Sequence, residues 1–358
     1  MIVKNEAPVI KRCLDSVLPL IDHWIIVDTG SSDGTQDIIR DHLSHVPGKL
    51  HELPWVDFAH NRSESLALAK SKADYSLVID ADDYLESVNA SVASSLDQDC
   101  YTLTLIDPPL KYPRKQLVSN KLNWRYRGVL HEFIDCEQEH SVGHLPWLMY
   151  RNHDGARRRD ASTYIKDSQI LLKALETEKD SFLQSRYTFY LAQSFRDCKH
   201  HSAAITYYEK RAKMGGWDEE VFYSLYQVAK LKELMSFPDE EVLSAYRAAI
   251  NASTTRVEAL HGASKFCRLK NRYKEGYEFA RRGLEKSYPN GCLFGEPWIY
   301  ETGLLDEFAV NAYWANHFTD CIDACLKILK TEKIKGADYQ RIVANAQFGL
   351  AKILELQK

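Results

Sequence analysis

The sequence predicts an α/β domain followed by an all-α repeat domain, and three observations carry that reading. Over residues 1–160, short apolar runs alternate with amphipathic helical segments, the pattern of a parallel sheet covered on both faces. From about residue 161 the strand signals vanish and helical periodicity takes over. Within 161–358, similar helix–turn–helix units begin at Tyr187, Tyr223 and Ala259. That spacing is close to the period of about 34 that marks tetratricopeptide (TPR)-like repeats.

The N-terminal elements follow in order. Residues 1–3 are a short apolar strand ending at Lys4-Asn5-Glu6, and Pro8 suits the first turn of a helix over 9–20 with Ile10, Leu14, Val17 and Leu18 on one side. Trp24-Ile25-Ile26-Val27 is a continuous apolar run, as in a buried parallel strand. It stops at Asp28-Thr29-Gly30-Ser31-Ser32-Asp33-Gly34-Thr35, and a helix follows from Gln36. Small and hydroxylated residues at the carboxyl end of a strand mark the place where open α/β sheets bind ligands; a plain turn with an N-cap is the alternative. A third strand fits 50–53, and Asp57 opens a helix whose Leu66, Ala69 and Ala73 are spaced to face the sheet.

The fourth strand, 75–79, delivers Asp80, Asp82 and Asp83. On a strand, residues two apart share a face, which places Asp80 beside Asp82. Carboxylates that close repel and resist desolvation, so the arrangement calls for a cation. A hard divalent ion that also bridges the phosphates of a nucleotide meets that need; a solvated acidic turn is the alternative.

Met-Ile-Val-Lys-Asn-Glu at the start, Val-Asp-Thr-Gly-Ser-Ser-Asp-Gly-Thr from Val27, Asp-Phe-Ala-His-Asn-Arg from Asp57 and Ile-Asp-Ala-Asp-Asp from Ile79 occur in this order. Together they resemble family 2 of the inverting glycosyltransferases, in the branch with a helical-repeat extension. The resemblance implies a GT-A fold, a Rossmann-like nucleotide-sugar-binding α/β domain, over about 1–160. It also implies Mn²⁺ or Mg²⁺ as cofactor and a nucleotide-sugar donor, expected to be a UDP-sugar. Residue by residue, Asp28 would accept a hydrogen bond from the nucleotide base, with Asn5 and Glu6 lining the same pocket. Arg62 would approach the diphosphate, or else be a surface helix residue; Asp80 would sit near the ribose or the sugar, and Asp82 would ligate the metal. Two departures stand out. Family members carry several residues before this first segment, so the strand here is clipped, and their acidic motif ends in Glu where this chain has Asp83.

Residues 101–106 are a strand of strong β-formers. Residues 123–133 then resemble the family segment that ends in His-Glu. Inverting transfer requires a carboxylate to take the acceptor's proton, and Glu132 is the candidate; the alternative is an exposed Glu on a strand edge. His131 would contact acceptor or diphosphate, or orient Glu132. Trp124 is either a sugar-stacking platform or core. His153 matches the late histidine that completes the metal shell in similar enzymes, a role imidazole can fill beside oxygen ligands; a structural histidine is the alternative. Gly155-Ala156-Arg157-Arg158-Arg159 is either a cationic segment that closes over the diphosphate, with Arg157 among its contacts, or a solvated linker.

In the C-terminal half, alanines and aromatics at helical spacing are mainly core, because repeats bury their faces by stacking. Stacked repeats also offer a surface for a peptide or partner chain, and a route to a homodimer. Residues 288–298, rich in Pro, Gly and aromatics, interrupt the period, either reaching an acceptor cleft or packing on the helices. Composition narrows the classes further. A net charge of −4 lacks the basic domain of a nucleic-acid binder. No apolar run approaches the roughly 18–20 residues of a membrane span, and residues 1–5 are no signal peptide. The 8 cysteines form no C-x-x-C pair, and Cys321 and Cys325, one helical turn apart, suit two thiols packed in a core, so reduced thiols and a cytoplasmic location are expected. The expected activity is inverting transfer of a sugar to a protein, peptide or glycan. The alternative is a non-catalytic repeat-type scaffold with a degenerate transferase domain. A nucleotidyltransferase would need a Gly-rich phosphate loop where Lys4-Asn5-Glu6-Ala7-Pro8 stands.

Overall fold

The computed structural model of the chain describes residues 1–86, 96–108, 110–160 and 162–357. The side chains of Arg158 and Arg159, and residue 161, lie outside the described residues. The chain forms two compact units, Met1–Tyr190 and Leu191–Lys358.

In the first unit, β1 (Ile2–Val3), β2 (Trp24–Asp28) and β3 (Gly48–Glu52) form a parallel sheet in that order. Helix α1 (Ile10–Val17) buries Ile10, Cys13, Leu14 and Val17, one helical stripe. It passes into a 3₁₀ turn at Leu18–Leu20, short of the expected end, because Pro19 has no N–H to continue the α ladder. After Gly34, held at φ +89°, comes α2 (Thr35–His42). Asp57 caps α3 (Phe58–Ala69) by accepting the His60 N–H at 2.7 Å. This helix buries Asn61, Arg62, Ser65 and Leu66. Ala73 follows the helix and is exposed, so the expected apolar face is largely a polar one.

The alternation of strand and helix predicts one parallel sheet, and here the structure differs. Strand β4 (Tyr75–Leu77) belongs to a second, mixed sheet ordered β4-β7-β6-β10-β5, with β5 Asp83–Glu86, β6 Cys100–Asp107, β7 Leu110–Ser119 and β10 Val142–Arg151. It runs antiparallel to β7, and β6 and β10 are the parallel neighbours. Two residues of β1 pair with β2. Beside Met1, between Ile25 and Ile26 on one side and Tyr75 and Leu77 on the other, lies a cavity of about 670 Å³.

Strands β8 (Arg125–Arg127) and β9 (Phe133–Asp135) form a hairpin whose loop spans residues 128–132. Trp124 is core: it is buried and its indole N–H donates to the Ser119 carbonyl. Strands give way to helices after β10, with α4 (Ala156–Arg159), α5 (Thr163–Thr177) and α6 (Ser181–Asp197). The units divide later than this change, after Tyr190 within α6. Both α5 and the start of α6 are tied back into the first unit, through Arg157 to Asp167 and Arg127 to Asp180.

The second unit continues with α7 (His201–Lys213), α8 (Asp218–Leu234), α9 (Asp239–Ala252), α10 (Glu258–Leu269), α11 (Tyr273–Arg281), α12 (Leu304–Trp314), α13 (Phe318–Lys330) and α14 (Gly336–Leu356). Its core joins Phe222, Tyr246, Leu260, Phe266 and Ile299 with small residues such as Ala249 and Ala263 that let helices approach. At Gly262 the approach is close, since a Cβ there would stand 2.4 Å from the Tyr246 ring. Segment 288–298 packs on these helices. The Leu293 N–H donates to Glu219 and its carbonyl accepts from the buried Arg256. Phe294 lies against Tyr223, and Glu296 accepts the Tyr226 hydroxyl. Among the described residues no helix is long and apolar enough to cross a membrane, and all eight cysteines are free thiols.

Candidate functional site

At the carboxyl end of β2, the chain wraps Asp28 in its own loop. Asp28 Oδ1 accepts the N–H groups of Gly30 and Ser31, both at 2.8 Å, and the Gln36 amide at 3.1 Å. Burial pushes this carboxyl up, but the bonds from Ser31, Gly30 and Gln36 outweigh it and hold the group below its usual range. The second oxygen, Oδ2, is buried and has no partner among the described residues. A buried acceptor left open is costly, so this atom fits a ligand N–H.

The residues after β1 build the opposite wall. Asn5, at φ +57°, gives its N–H to Ser31 Oγ and accepts the Ser32 N–H. Glu6 gives its N–H to Thr35 Oγ1, and its carboxylate accepts the Ala156 N–H at 3.1 Å. Glu6 thus links the 28–35 loop to the start of α4. There Gly155 lies against Asp82, and a Cβ on this glycine would stand 2.8 Å from Asp82 Oδ2.

The expectation that Asp80 and Asp82 share a strand face is corrected. Both lie in a turn between β4 and β5, closed by the Asp83 N–H to the Asp80 carbonyl at 3.1 Å. The Asp82 carbonyl, in turn, accepts from Arg12 and Asn152. In a turn the two-residue alternation of a strand is lost, and the aspartates part company. Asp80 pairs with Arg62 at 2.5 Å. Burial opposes its charge, but Arg62, helped by Arg114 and Arg151, brings its pKa down to about 2. Asp82 is half-buried against Gly155. Asp83 is buried at the start of β5, and burial, then Asp80 and Asp82, push it up to about 8. Its Oδ2 is buried and has no partner among the described residues.

Arg62, expected at the diphosphate, is instead buried between two carboxylates, Asp80 and Glu132, the latter at 2.6 Å from its Nε. Their opposing charges keep the guanidinium protonated although burial works against it. The candidate base therefore stands one side chain away from the acidic turn. His131 stacks on Tyr190. His153, at φ +58°, meets Asp107 at 2.6 Å, and Arg157 makes a forked pair with Asp167 while lying 4.8 Å from the Phe58 ring centroid.

The fit of a divalent ion can be judged from these donors. No group of three His, Cys, Asp or Glu side chains among the described residues forms a ready cage. Mg²⁺-type sites in phosphate-binding proteins need one or two carboxylates, with phosphate oxygens and water completing the shell. Asp82, which makes no salt bridge among the described residues and sits in a cradle open because residue 155 is glycine, suits that simpler arrangement.

Sequence reasoning did not find Asp107, Asp154 or Asp167 as partners of His153, Arg12 and Arg157. The Arg12–Asp154 pair spans 142 residues, a separation that leaves no local pattern.

Residues 1–104 match the family model Glycosyl transferase family 2. The N-terminal unit thus contains a glycosyltransferase-type domain, and the match ends within β6, before Glu132 and His153. Over 310 residues the chain is 26% identical to a TPR repeat-containing protein of Synechococcus elongatus, covering 79% of this chain and 74% of that one. Among solved structures, it is similar to BtubC from P. vanneervenii, with a TM-score of 0.39, 15% identity and coverage of 51% of this chain and 77% of that one. A tetratricopeptide repeat protein from Parabacteroides merdae gives 0.38, 13%, 55% and 73% for the same quantities.

Proposed function

We propose, on the premise of that N-terminal domain, that the chain is a metal-dependent inverting glycosyltransferase. It takes a sugar from a nucleotide donor, a UDP-sugar, and passes it to a hydroxyl or amide of a protein, peptide or glycan. The observation that carries the reading is Arg62, which pairs with Asp80 and, 70 residues along the chain, with Glu132.

In this reading the open Oδ2 of Asp28 accepts an N–H of the nucleotide base, and Asn5 and Glu6 shape the loop around it. Mn²⁺ or Mg²⁺, held by Asp82, would neutralise charge on the diphosphate as it leaves. Glu132 takes the proton of the acceptor as its oxygen or nitrogen bonds to the anomeric carbon and the carbon–phosphate-oxygen bond breaks. His153 meets Asp107 through Nε2 and could offer Nδ1 to a metal, and Arg157 meets Asp167 through Nη2 and could offer its other N–H groups to phosphate; both are proposed as contacts made on donor binding.

Isothermal titration with UDP, with and without Mn²⁺, tests the donor site. Metal-dependent binding is expected, and no binding in either condition ends the proposal. Glu132→Gln should keep that binding while slowing hydrolysis of a donor sugar by about 10²–10⁴-fold. A second reading draws on the Synechococcus relative, which is described by its repeats alone. A repeat-type scaffold with an inactive transferase domain predicts no hydrolysis of any UDP-, GDP- or dTDP-sugar.

A further inference from the structure

The loop that carries Glu132 is held in a conformation it would not keep alone. Between β8 and β9 the chain turns within 128–132, with Gly128 at φ +101° and His131 at φ +51°. A non-glycine residue in the left-handed region is strained, and persists where its surroundings impose it. Those surroundings are one face of α6. The Tyr187 hydroxyl oxygen accepts the Val129 N–H at 3.1 Å. Arg186 donates twice to the His131 carbonyl, from Nε at 3.0 Å and from Nη2 at 2.7 Å. The His131 ring lies flat on Tyr190, with centroids 3.6 Å apart and planes 6° from parallel.

Arg186 is itself placed by aromatic rings, 5.1 Å from the Tyr190 centroid and 5.2 Å from that of Phe133. The residues on either side of Glu132, His131 and Phe133, are therefore both fixed by the same guanidinium. With its two neighbours pinned, Glu132 has its backbone direction set, and Arg62 Nε then holds its carboxylate at 2.6 Å.

We infer that Arg186, Tyr187 and Tyr190 are positioning residues for Glu132, acting through the backbone and ring of its neighbours; the inference rests on Glu132 being the base. A base must lie within hydrogen-bond reach of the proton it takes, and a displacement of about 1 Å can cost on the order of 10²-fold in rate. The helix that follows the α/β elements is thus part of the catalytic apparatus of the first unit.

The test compares Tyr190→Leu, Tyr190→Phe, Arg186→Lys and Glu132→Gln in the full chain. Three quantities are read: hydrolysis of the nucleotide sugar turned over fastest in a panel, UDP affinity with Mn²⁺, and amide exchange by mass spectrometry. Tyr190→Leu should lower kcat about 10- to 100-fold, leave UDP affinity unchanged, and speed exchange within 128–133 alone. Tyr190→Phe, which keeps the ring, should restore the wild-type values, whereas Arg186→Lys, which loses the fork, should not. Wild-type exchange and kcat in Tyr190→Leu would overturn the inference, and so would faster exchange throughout the unit with lost UDP binding. If Tyr190→Leu does not fold, Tyr187→Phe, which removes one hydroxyl, carries the same readouts. Glu132→Gln separates the two failures: an active variant sinks the assignment of the base, while an inactive one beside a fully active Tyr190→Leu sinks the positioning alone.

Discussion

Arg62 shows most plainly how one side chain can answer to two demands. It is buried, and so are the two carboxylates it bridges in part. Removing the cation strips Glu132 and Asp80 of their shared ion-pair partner and leaves Asp80 with Arg114 and Arg151 alone. Breaking a buried pair in this way costs about 3–5 kcal/mol, so Arg62→Met should lower the urea midpoint sharply; an unchanged midpoint would mean the triad is solvated. His261, in α10, makes the opposite case of a group kept neutral. Burial, with Trp298 packed edge-on against the ring, lowers its pKa to about 4. The unfolded chain therefore binds the proton more readily between about pH 6.5 and pH 4. Stability from this residue is present above pH 6.5 and lost as pH falls through that window. Wild type should lose about 3 kcal/mol more than His261→Gln between pH 7 and pH 4, measured by urea unfolding at the two values. Equal losses would show that the ring is hydrated.

At the level of elements, what was legible in the sequence was what is local. The apolar run 24–27 gave β2, and the small-residue stretch after it gave the loop that wraps Asp28, because both depend on adjacent residues. The alternating helices of the second half were legible for the same reason, their apolar stripes recurring within each helix. The shape of the acidic segment was not readable in this way. A strand was expected through Ile79, yet β4 stops at Leu77, and a turn sends Asp80 toward Arg62 and Asp82 toward Gly155. The partners that decide those directions sit tens of residues away, so no periodicity announces them. Gly155 provides a test at this scale. Its backbone, at φ −65°, suits alanine, so Gly155→Ala should fold normally. The added Cβ would stand 2.8 Å from Asp82 Oδ2, and moving that carboxylate should weaken Mn²⁺-dependent UDP binding by about tenfold or more, in line with the 10–100-fold cost of disturbing a ligand's support. Titration of the variant with UDP alone should match wild type; a loss there too would place the effect on the nucleotide pocket instead.

For the whole molecule, the informative discrepancy is between where strands end and where the first compact unit ends. Composition changes near residue 160, but the unit runs to Tyr190. A fragment ending at 160 would strip Arg157 of Asp167, Arg127 of Asp180 and the 128–132 loop of its three contacts on α6. It would also remove Leu171, Leu183 and Tyr187, which are buried in the full chain, and expose what they cover. Each fully buried side chain of this kind is worth about 1.5–3 kcal/mol, against a total domain stability of about 5–15 kcal/mol. The fragment 1–160 should therefore be degraded rapidly in limited proteolysis and lack a cooperative thermal transition. The fragment 1–190 keeps those contacts and should melt cooperatively and bind UDP with Mn²⁺. A cooperative, UDP-binding 1–160 would show that α5 and the start of α6 are accessories, and that the 128–132 loop holds its left-handed turn unaided.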